Sequence, residues 1–220
     1  MKIALLGKGK TGSKVLERFP NATVFDSKNA PSFEKLKGHD VIVSFLPGEA
    51  FLSYVPLLIE SKIPVVTGST GFTWPKDLNQ TLVNNQICWI HATNFSLGMN
   101  LVRQMIGILS KAETLFSDAQ FNIHEIHHTK KLDAPSGTAL SWKEWAKADC
   151  EISSERVGDV VGTHEITLET ANESIFLRHS AKDRGIFAEG AVWAADYLVN
   201  SNKSRPGLHA FADVILKELA

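Results

Sequence analysis

The chain has 220 residues, of which 44% are hydrophobic and 21% charged, and its formal net charge is −1. This composition is typical of a globular protein with one large or two small domains, and the charge gives no reason to expect binding to nucleic acid or to an anionic membrane. With two cysteines and no apolar run long enough for a membrane span, we expect neither a disulfide framework nor a transmembrane helix. A strand follows Met1-Lys2 directly, unlike a signal peptide, so we expect a cytoplasmic protein.

The first predicted elements are a strand, a glycine loop and a helix. The apolar strand 3–6 is followed by Gly7-Lys8-Gly9-Lys10-Thr11-Gly12 and by helical spacing over 13–19. A second strand, 23–25, ends at Asp26, nineteen residues after Gly7. In a dinucleotide fold the glycines let a pyrophosphate approach the helix, and the acid binds the adenosine ribose. This order favours nucleotide binding over a simple tight turn, with contacts from Gly7, Gly9, Lys10, Thr11, Gly12 and Asp26.

Strands and helices continue to alternate as far as residue 91. The predicted strands are 40–45, 64–67 and 87–91, and the predicted helices are 51–61 and 74–84. This alternation predicts a parallel sheet with right-handed crossovers, on which ligands lie beyond the carboxyl ends of the strands. We therefore expect three loops at the cofactor, namely 46–48, 68–72 and 92–95.

After residue 94 the pattern becomes that of an α+β domain. The predicted elements are an apolar-faced helix over 97–110, a strand over 119–126, a helix over 139–149, and strands over 162–170 and 174–178. The predicted fold class is therefore α/β, with a Rossmann-like parallel sheet domain and a smaller α+β domain that has an open mixed sheet. We assign residues 1–96 and 185–220 to the first domain and residues 97–184 to the second.

The end of the predicted strand 119–126 and the loop after it carry an unusual set of polar residues. Imidazoles exchange protons near neutral pH, and an ammonium group attracts anions or donates protons. Free N–H groups at the first turn of a helix bind carboxylates. The segment therefore predicts a small acidic substrate, held by its carboxylate while a proton is delivered. Its sequence is Glu125-Ile126-His127-His128-Thr129-Lys130-Lys131-Leu132-Asp133-Ala134-Pro135-Ser136-Gly137-Thr138.

This segment resembles the signature of the dihydrodipicolinate reductase family, also called 4-hydroxy-tetrahydrodipicolinate reductases. Gly68-Ser69-Thr70 is similar to the family's Gly-Thr-Thr loop, and Ala92-Thr93-Asn94-Phe95 to its Ala-Ala-Asn-Phe loop; both line the nicotinamide in that family. The segment 179–191 is similar as well. The resemblance implies an NAD(P)H-dependent reductase of lysine and diaminopimelate biosynthesis, acting on a small dicarboxylate. It also implies a homotetramer formed through the sheet of the second domain.

The resemblance also implies roles for individual residues. In the family, a hydride adds to C4 of the dihydrodipicolinate ring and the neighbouring carbon gains a proton. The proton donor corresponds to His127, and a second acid, which also counters developing negative charge, corresponds to Lys131. The other substrate contacts correspond to His128, Ser136, Gly137 and Thr138, the last three holding a carboxylate at the helix start.

Each of these residues also has a structural interpretation. The histidine pair suits an exposed loop, and His124, His127 and His128 together suit zinc, although the cationic Lys131 would oppose a dication. We therefore predict no metal. The spacing of the family selects Lys131 rather than Lys130, which we expect to face solvent. The cap and first residues of the next helix would suit Asp133 and Pro135 respectively.

The glycine loop differs from that of the family. Its first glycine comes one residue early, and Lys10 stands at the place of the family's arginine. Asp26 favours NADH because it binds a free ribose, whereas Lys10 and Lys28 favour the 2′-phosphate of NADPH, so we expect use of both. Two other functions remain open: another two-domain dehydrogenase, acting on diaminopimelate or aspartate, and a non-catalytic nucleotide sensor. The paired histidines before the Ser-Gly-Thr turn argue against both.

Overall fold

The computed structural model describes residues 1–219, with the side chain of residue 113 excepted. The chain folds as two compact units, one formed by Met1–Leu97 with Gly185–Ala220 and the other by Gly98–Arg184. A six-stranded parallel sheet in the first unit and a four-stranded mixed sheet in the second confirm the predicted fold class. Among the described residues, no helix combines the length and apolar character needed to cross a bilayer.

The structure contains ten strands and eight α-helices within the described residues, together with one 3-10 turn over Ala112–Thr114. In chain order they are β1 (Ile3–Leu6), α1 (Lys10–Arg18), β2 (Thr23–Phe25), α2 (Phe33–Leu36), β3 (Val41–Ser44), α3 (Gly48–Ser61), β4 (Val65–Thr67), α4 (Leu78–Asn84), β5 (Cys88–His91), α5 (Leu97–Leu109), β6 (Gln120–His127), α6 (Gly137–Ala146), β7 (Cys150–Arg156), β8 (Gly162–Glu169), β9 (Ser174–Ala181), α7 (Gly185–Asn200), β10 (Gly207–Ala210) and α8 (Phe211–Leu219).

The sheet of the first unit has the strand order β10-β5-β4-β3-β1-β2, and all of its neighbours run parallel. Successive residues of a strand point to opposite faces, so apolar strands such as β1 and β3 contribute to two hydrophobic cores. Leu5 and Val43 pack with α1, α7 and α8, whereas Leu6 and Ile42 pack with α3 and α4. Helices on both faces leave the strand ends as the place for a ligand site.

The sheet of the second unit has the order β7-β6-β8-β9, in which only the β6–β7 pair is parallel. One face packs on α5 and α6 through Ile123, Ile166 and Trp142, all of them almost fully buried. The opposite face carries exposed side chains such as Phe176. This half-buried sheet gives the alternating pattern seen in the sequence.

Several elements differ from their sequence predictions. Helix α1 begins at Lys10, inside the glycine loop, rather than at residue 13, and α6 covers Gly137–Ala146 rather than 139–149. Three elements were not expected from the sequence, namely α2, β7 and β10; α2 and β10 are only four residues long, and β7 is largely exposed. Strand β10 pairs with β5, so the chain returns to the first sheet after leaving the second unit.

Candidate functional site

A cavity of about 480 Å³ lies at the glycine loop of the first unit. At Gly7 the backbone has φ +92°, a conformation that other residues rarely adopt. A Cβ at Gly12 would stand 2.0 Å from the carbonyl oxygen of Gly7, so only glycine lets α1 pack this closely on the loop. The first-turn N–H groups of α1 and the glycine loop fit the pyrophosphate of a dinucleotide. The lining residues are Gly7, Lys8, Gly9, Lys10, Thr11, Phe45, Leu46, Pro47, Gly68 and Thr70.

The other predicted cofactor residues lie outside this lining. Asp26 follows β2, and its Oδ1 accepts hydrogen bonds from the N–H groups of Lys28 and Asn29 at 2.9 and 3.0 Å. Ser69 is buried with its Oγ 3.4 Å from that of Ser44, and the Phe95 ring packs against other aromatic rings. These contacts give Ser69 and Phe95 structural roles in the first unit. Gly12, Ala92, Thr93 and Asn94 are also outside the lining.

In the second unit, β6 carries the histidines on different faces of the sheet. Residues two apart share a face, so Glu125 and His127 continue the buried side that begins with Phe121 and Ile123. His124 points the other way, and its Nδ1 lies 2.7 Å from the Ser153 Oγ. A zinc site shared by His124, His127 and His128 does not fit this arrangement, because His124 and His127 lie on opposite faces of the sheet.

A row of polar side chains crosses all four strands on the buried face. Glu125 on β6 is paired with Ser154 on β7 and with His164 on β8, which is itself paired with His179 on β9. Glu125 is fully buried and His164 is 4% exposed. Toward the C-terminal end of β6 the inner face of the sheet thus changes from apolar to ionisable side chains.

The Glu125 Oε1 atom accepts three hydrogen bonds. The donors are the Ser136 N–H at 3.0 Å, the Ser154 hydroxyl at 2.8 Å and the Arg156 guanidinium at 3.1 Å. Burial alone would raise the pKa of Glu125, but these donors outweigh it and hold the pKa at about 2. Glu125 is therefore an ionised carboxylate near neutral pH.

The other oxygen, Oε2, faces two imidazoles. It lies 3.1 Å from the Nδ1 of His127 and 3.6 Å from the Nε2 of His164. Burial lowers the pKa of both rings, to about 4 for His164, although the charge of Glu125 opposes this in each case. Both imidazoles are therefore neutral near pH 7 in the free protein.

These three side chains offer ligand atoms within 4.8 Å of one another, so their fit to a metal ion has to be considered. Three donors already occupy one oxygen of the Glu125 carboxylate, and the charges of Lys131 and Arg156 act on His127. Such cations oppose a dication. The cluster is therefore better described as a buried acid–imidazole network than as a metal centre.

The loop after β6 is fixed by charged contacts. Lys131 donates to both oxygens of Asp133 at 2.8 Å, and Arg156 donates to the Asp133 carbonyl as well as to Glu125. Asp133 is therefore not the helix cap that the sequence suggested. Lys130 is exposed, whereas the Lys131 side chain is 22% exposed.

Ser136 is the N-cap of α6, and its Oγ accepts a hydrogen bond from the Ala139 N–H at 3.2 Å. The same hydroxyl lies 3.1 Å from the Nε2 of His164. The Ser136 N–H donates to Glu125 and its hydroxyl contacts Ala139 and His164, so Ser136 stabilises the turn. Gly137 and Thr138 are better placed to contact a ligand. Among the described residues, no hydrogen bond uses the N–H of Gly137 or Thr138. Pro135 lies before the cap rather than in the first turn.

Sequence analysis did not identify Glu125, Arg156 or His164 as functional. A period of two along the strand, counted from Phe121, places Glu125 on the buried face, and a buried acid needs partners. That signal was available in the sequence. The partners on β7 and β8 were not, because they depend on strand pairing.

The comparisons with known proteins agree with this geometry. Residues 98–215 match the family model described as dihydrodipicolinate reductase, C-terminus. A 4-hydroxy-tetrahydrodipicolinate reductase of Christiangramia forsetii is 33% identical, over 98% of each chain, and one of Syntrophus aciditrophicus is 34% identical, over 82% of this chain and 74% of the relative. A solved structure, the dipicolinate-bound dihydrodipicolinate reductase of Paenisporosarcina sp. TG-14, has the same fold, with a TM-score of 0.77 at 21% identity over 97% and 99% of the two chains.

Proposed function

This chain belongs to the dihydrodipicolinate reductase family, and from that premise we propose that it reduces dihydrodipicolinate, formed from 4-hydroxy-tetrahydrodipicolinate, to tetrahydrodipicolinate. The reaction uses NADH or NADPH and belongs to lysine and diaminopimelate biosynthesis. The observation that carries the proposal is one segment that joins an imidazole, an ammonium group and the unpaired amides of a helix start. No observation favours the other dehydrogenases or a nucleotide sensor.

The cofactor and the protein have separate tasks in this reaction. When bound, the reduced nicotinamide cofactor supplies a hydride to C4 of the substrate ring, after which the neighbouring carbon must gain a proton. We assign the pyrophosphate to the glycine loop and α1, where Gly9, Lys10 and Thr11 line the cavity. We assign the adenosine ribose to Asp26, whose Oδ1 is held by the turn and whose Oδ2 has no hydrogen bond among the described residues.

One substrate carboxylate is assigned to the unpaired N–H groups of Gly137 and Thr138 at the start of α6. His128 and Lys131 complete the substrate contacts, and His127 delivers the proton. In the free protein burial lowers the pKa of His127, with the charge of Glu125 opposing this. A bound dicarboxylate would raise the pKa again, so substrate binding itself favours the protonated ring.

The decisive experiment generates the substrate in situ from pyruvate and aspartate semialdehyde and follows the loss of NAD(P)H absorbance. We expect His127→Ala and Lys131→Ala each to lower kcat about a hundredfold or more, as removal of a positioned proton donor does. Lys130→Ala is the control, because Lys130 is the exposed neighbour of Lys131 and should keep the parental rate. An inactive parent would overturn the function, and fully active variants would overturn the residue roles.

We further propose that both cofactors are used. Asp26 should repel a 2′-phosphate, whereas Lys10 in the first turn of α1 should attract it. Fluorescence titration with NADH and NADPH at moderate salt should give dissociation constants within about a hundredfold of each other, a difference of about 2.7 kcal/mol. A wider gap would show that one of these side chains does not reach the ribose.

A homotetramer formed through the outer face of the second sheet is a further part of the proposal. Phe176 on β9 is 63% exposed on that face and is a large ring that a partner subunit would cover. Light scattering after size-exclusion chromatography should give four times the mass of the chain, and Phe176→Glu should reduce it. A monomeric parent would overturn this assignment. A cytoplasmic location remains a prediction, to be checked by cell fractionation.

A further inference from the structure

We propose that Glu125 is a positioning residue that holds His127 with its Nδ1 turned toward the carboxylate, so that Nε2 is the atom that exchanges the catalytic proton. The inference rests on the reductase function proposed above, since it concerns the proton that the reaction consumes. It adds a side chain that does not itself touch the substrate.

The geometry distinguishes the two nitrogens of His127. Nδ1 is buried and lies 3.1 Å from the Glu125 Oε2, which is within hydrogen-bonding distance although the two groups are not aligned as a hydrogen bond. Among the described residues, neither atom has a hydrogen-bond partner elsewhere. The Nε2 of His164 is farther from Oε2, at 3.6 Å, so His127 Nδ1 and Glu125 Oε2 are each other's nearest polar atoms to offset the cost of burial.

An ionised carboxylate can only accept hydrogen bonds. The three donors on Oε1 keep Glu125 ionised, so its Oε2 requires a donor, and the nearest is an N–H at Nδ1 of His127. A neutral ring with its proton on Nδ1 has a lone pair on Nε2. Nε2 is then the position that gains a proton and gives it to the substrate, and the carboxylate stabilises the charged ring while the proton is held.

The neighbouring strand leaves space for this orientation. The β6–β8 ladder ends with Ile126 opposite Thr163, so Gly162 comes next to His127 just beyond the last pair. A Cβ at Gly162 would stand 3.0 Å from the Nε2 of His127 and 3.3 Å from its Cδ2. Any residue larger than glycine would therefore press on the edge of the ring that carries the reactive nitrogen.

The same carboxylate also holds the substrate turn. Its Oε1 accepts the Ser136 N–H, which lies directly before the two amides assigned to the substrate carboxylate. Arg156 ties Oε1 to the Asp133 carbonyl in the loop between them. Glu125 thus sets the position of the proton donor with one oxygen and the position of the anion site with the other.

The variant that separates these two tasks is Glu125→Gln. Its amide oxygen can still accept from Ser136, Ser154 and Arg156, while its NH2 group would face His127 and favour the opposite tautomer. We expect kcat to fall about tenfold to a hundredfold and KM to change less than about threefold. Glu155→Gln, the same change on the outer face of β7, should leave both constants unchanged.

A pH profile supplies a readout that a purely structural role would not change. Burial lowers the pKa of His127, the charge of Glu125 raises it, and Lys131 and Arg156 lower it further, while Asp133 raises it slightly. His164 on β8 also faces the ring, with centroids 4.9 Å apart, and His179 on β9 acts on His164. Removing the Glu125 charge should move the alkaline limb of kcat to lower pH by about one unit.

Imidazole 15N NMR of the parent protein tests the inference without any turnover. His127 should carry its proton on Nδ1, and in Glu125→Gln the proton should move to Nε2. A parent spectrum with the proton on Nε2 would overturn the proposal even if the variant failed to fold. An active parent whose Glu125→Gln variant keeps its kcat and pH profile would do the same. An inactive parent with the expected tautomer would overturn the reductase function alone.

Discussion

The central strands of the first unit are buried on both faces, whereas the sheet of the second unit buries only one face. In the first unit the candidate site consists largely of loop backbone beyond the strand ends, and its shape depends on glycines. In the second unit the acid–imidazole network of the candidate site lies within the sheet itself, on side chains of β6, β7 and β8. Equivalent substitutions should therefore act differently in the two units, through backbone shape in one and through charge in the other.

The largest effect should come from Gly12→Ala in the first unit. The new Cβ would stand 2.0 Å from the Gly7 carbonyl oxygen, so α1 must move away from the loop. We expect cofactor affinity, measured by NADH fluorescence titration, to fall more than about a hundredfold, or more than about 2.7 kcal/mol. Gly107→Ala is the control, because a Cβ there meets nothing within 4 Å and replaces a helix-interior glycine. Unchanged affinity in Gly12→Ala would show that cofactor binding does not depend on the close packing of α1 on the glycine loop.

The acid–imidazole network should make the second unit sensitive to acid. Burial lowers the pKa of His164 from 6.5 to about 4, so the unfolded chain binds a proton between these values that the folded chain does not. The contribution is complete above pH 6.5 and is lost as the pH falls toward 4. It amounts to about 3 kcal/mol. The free energy of unfolding, measured by denaturant titration across this range, should fall less steeply in His164→Gln.

For this comparison, His124→Gln on the outer face of the same sheet is the matched control. Equal slopes in the parent and His164→Gln would contradict the assignment. Below about pH 4.5 a second loss is expected, because Glu125 then gains a proton in the unfolded chain, whereas in the folded chain its pKa is about 2 and it stays ionised. The pKa of Glu125 is lowered in the folded chain. Its contribution to the free energy of unfolding is therefore also present at high pH and lost at low pH.

A smaller effect is expected where a single methyl group meets the reactive ring. Gly162→Ala should displace the His127 imidazole and lower kcat about tenfold, since small misplacements of a proton donor cost activity. Cofactor affinity should stay parental, because the change is confined to the second unit. Loss of cofactor binding in this variant would mean that the damage had spread beyond the ring.

The smallest effect should come from Thr138→Val, which keeps the shape of the first turn of α6 but removes a hydroxyl. Pyridine-2,6-dicarboxylate, a planar aromatic dicarboxylate, should inhibit competitively, and the variant should bind it severalfold to about tenfold more weakly, or about 1 kcal/mol. The backbone amides are unchanged by the substitution and should retain most of the affinity. A loss far beyond tenfold would give the hydroxyl a greater role than the amides.

The sequence predicted much of the first unit because its signals are local. A glycine loop between a short apolar strand and a helix, with an acid after the next strand, needs no information from distant residues. The elements that the sequence did not predict are those that depend on pairing between distant strands. Strand β10 is recognised only by its ladder with β5, and β7 has one buried and several exposed residues, so neither has a pattern of its own.

The residues of the candidate site likewise fall into a local group, which the sequence predicted, and a group that depends on strand pairing, which it did not. His127, Lys131 and the Ser136 turn lie within twelve residues of Glu125, so a single motif contains them. Arg156 and His164 approach the same carboxylate only after β7 and β8 have paired with β6. The motif thus predicted the groups that would meet the substrate, and the fold supplied the groups that control them.

The return of the chain to its first sheet has a consequence for biosynthesis on the ribosome. The unit Gly98–Arg184 is synthesised as one continuous stretch, whereas the unit around it still lacks α7, β10 and α8 at that point. Those late elements contribute Ala191, Phe211 and Val214 to one of the two cores. Until they are synthesised, the face of the parallel strands that they cover stays exposed to solvent. During translation the second unit can therefore fold first, while the incomplete first unit exposes apolar surface of the kind that chaperones bind.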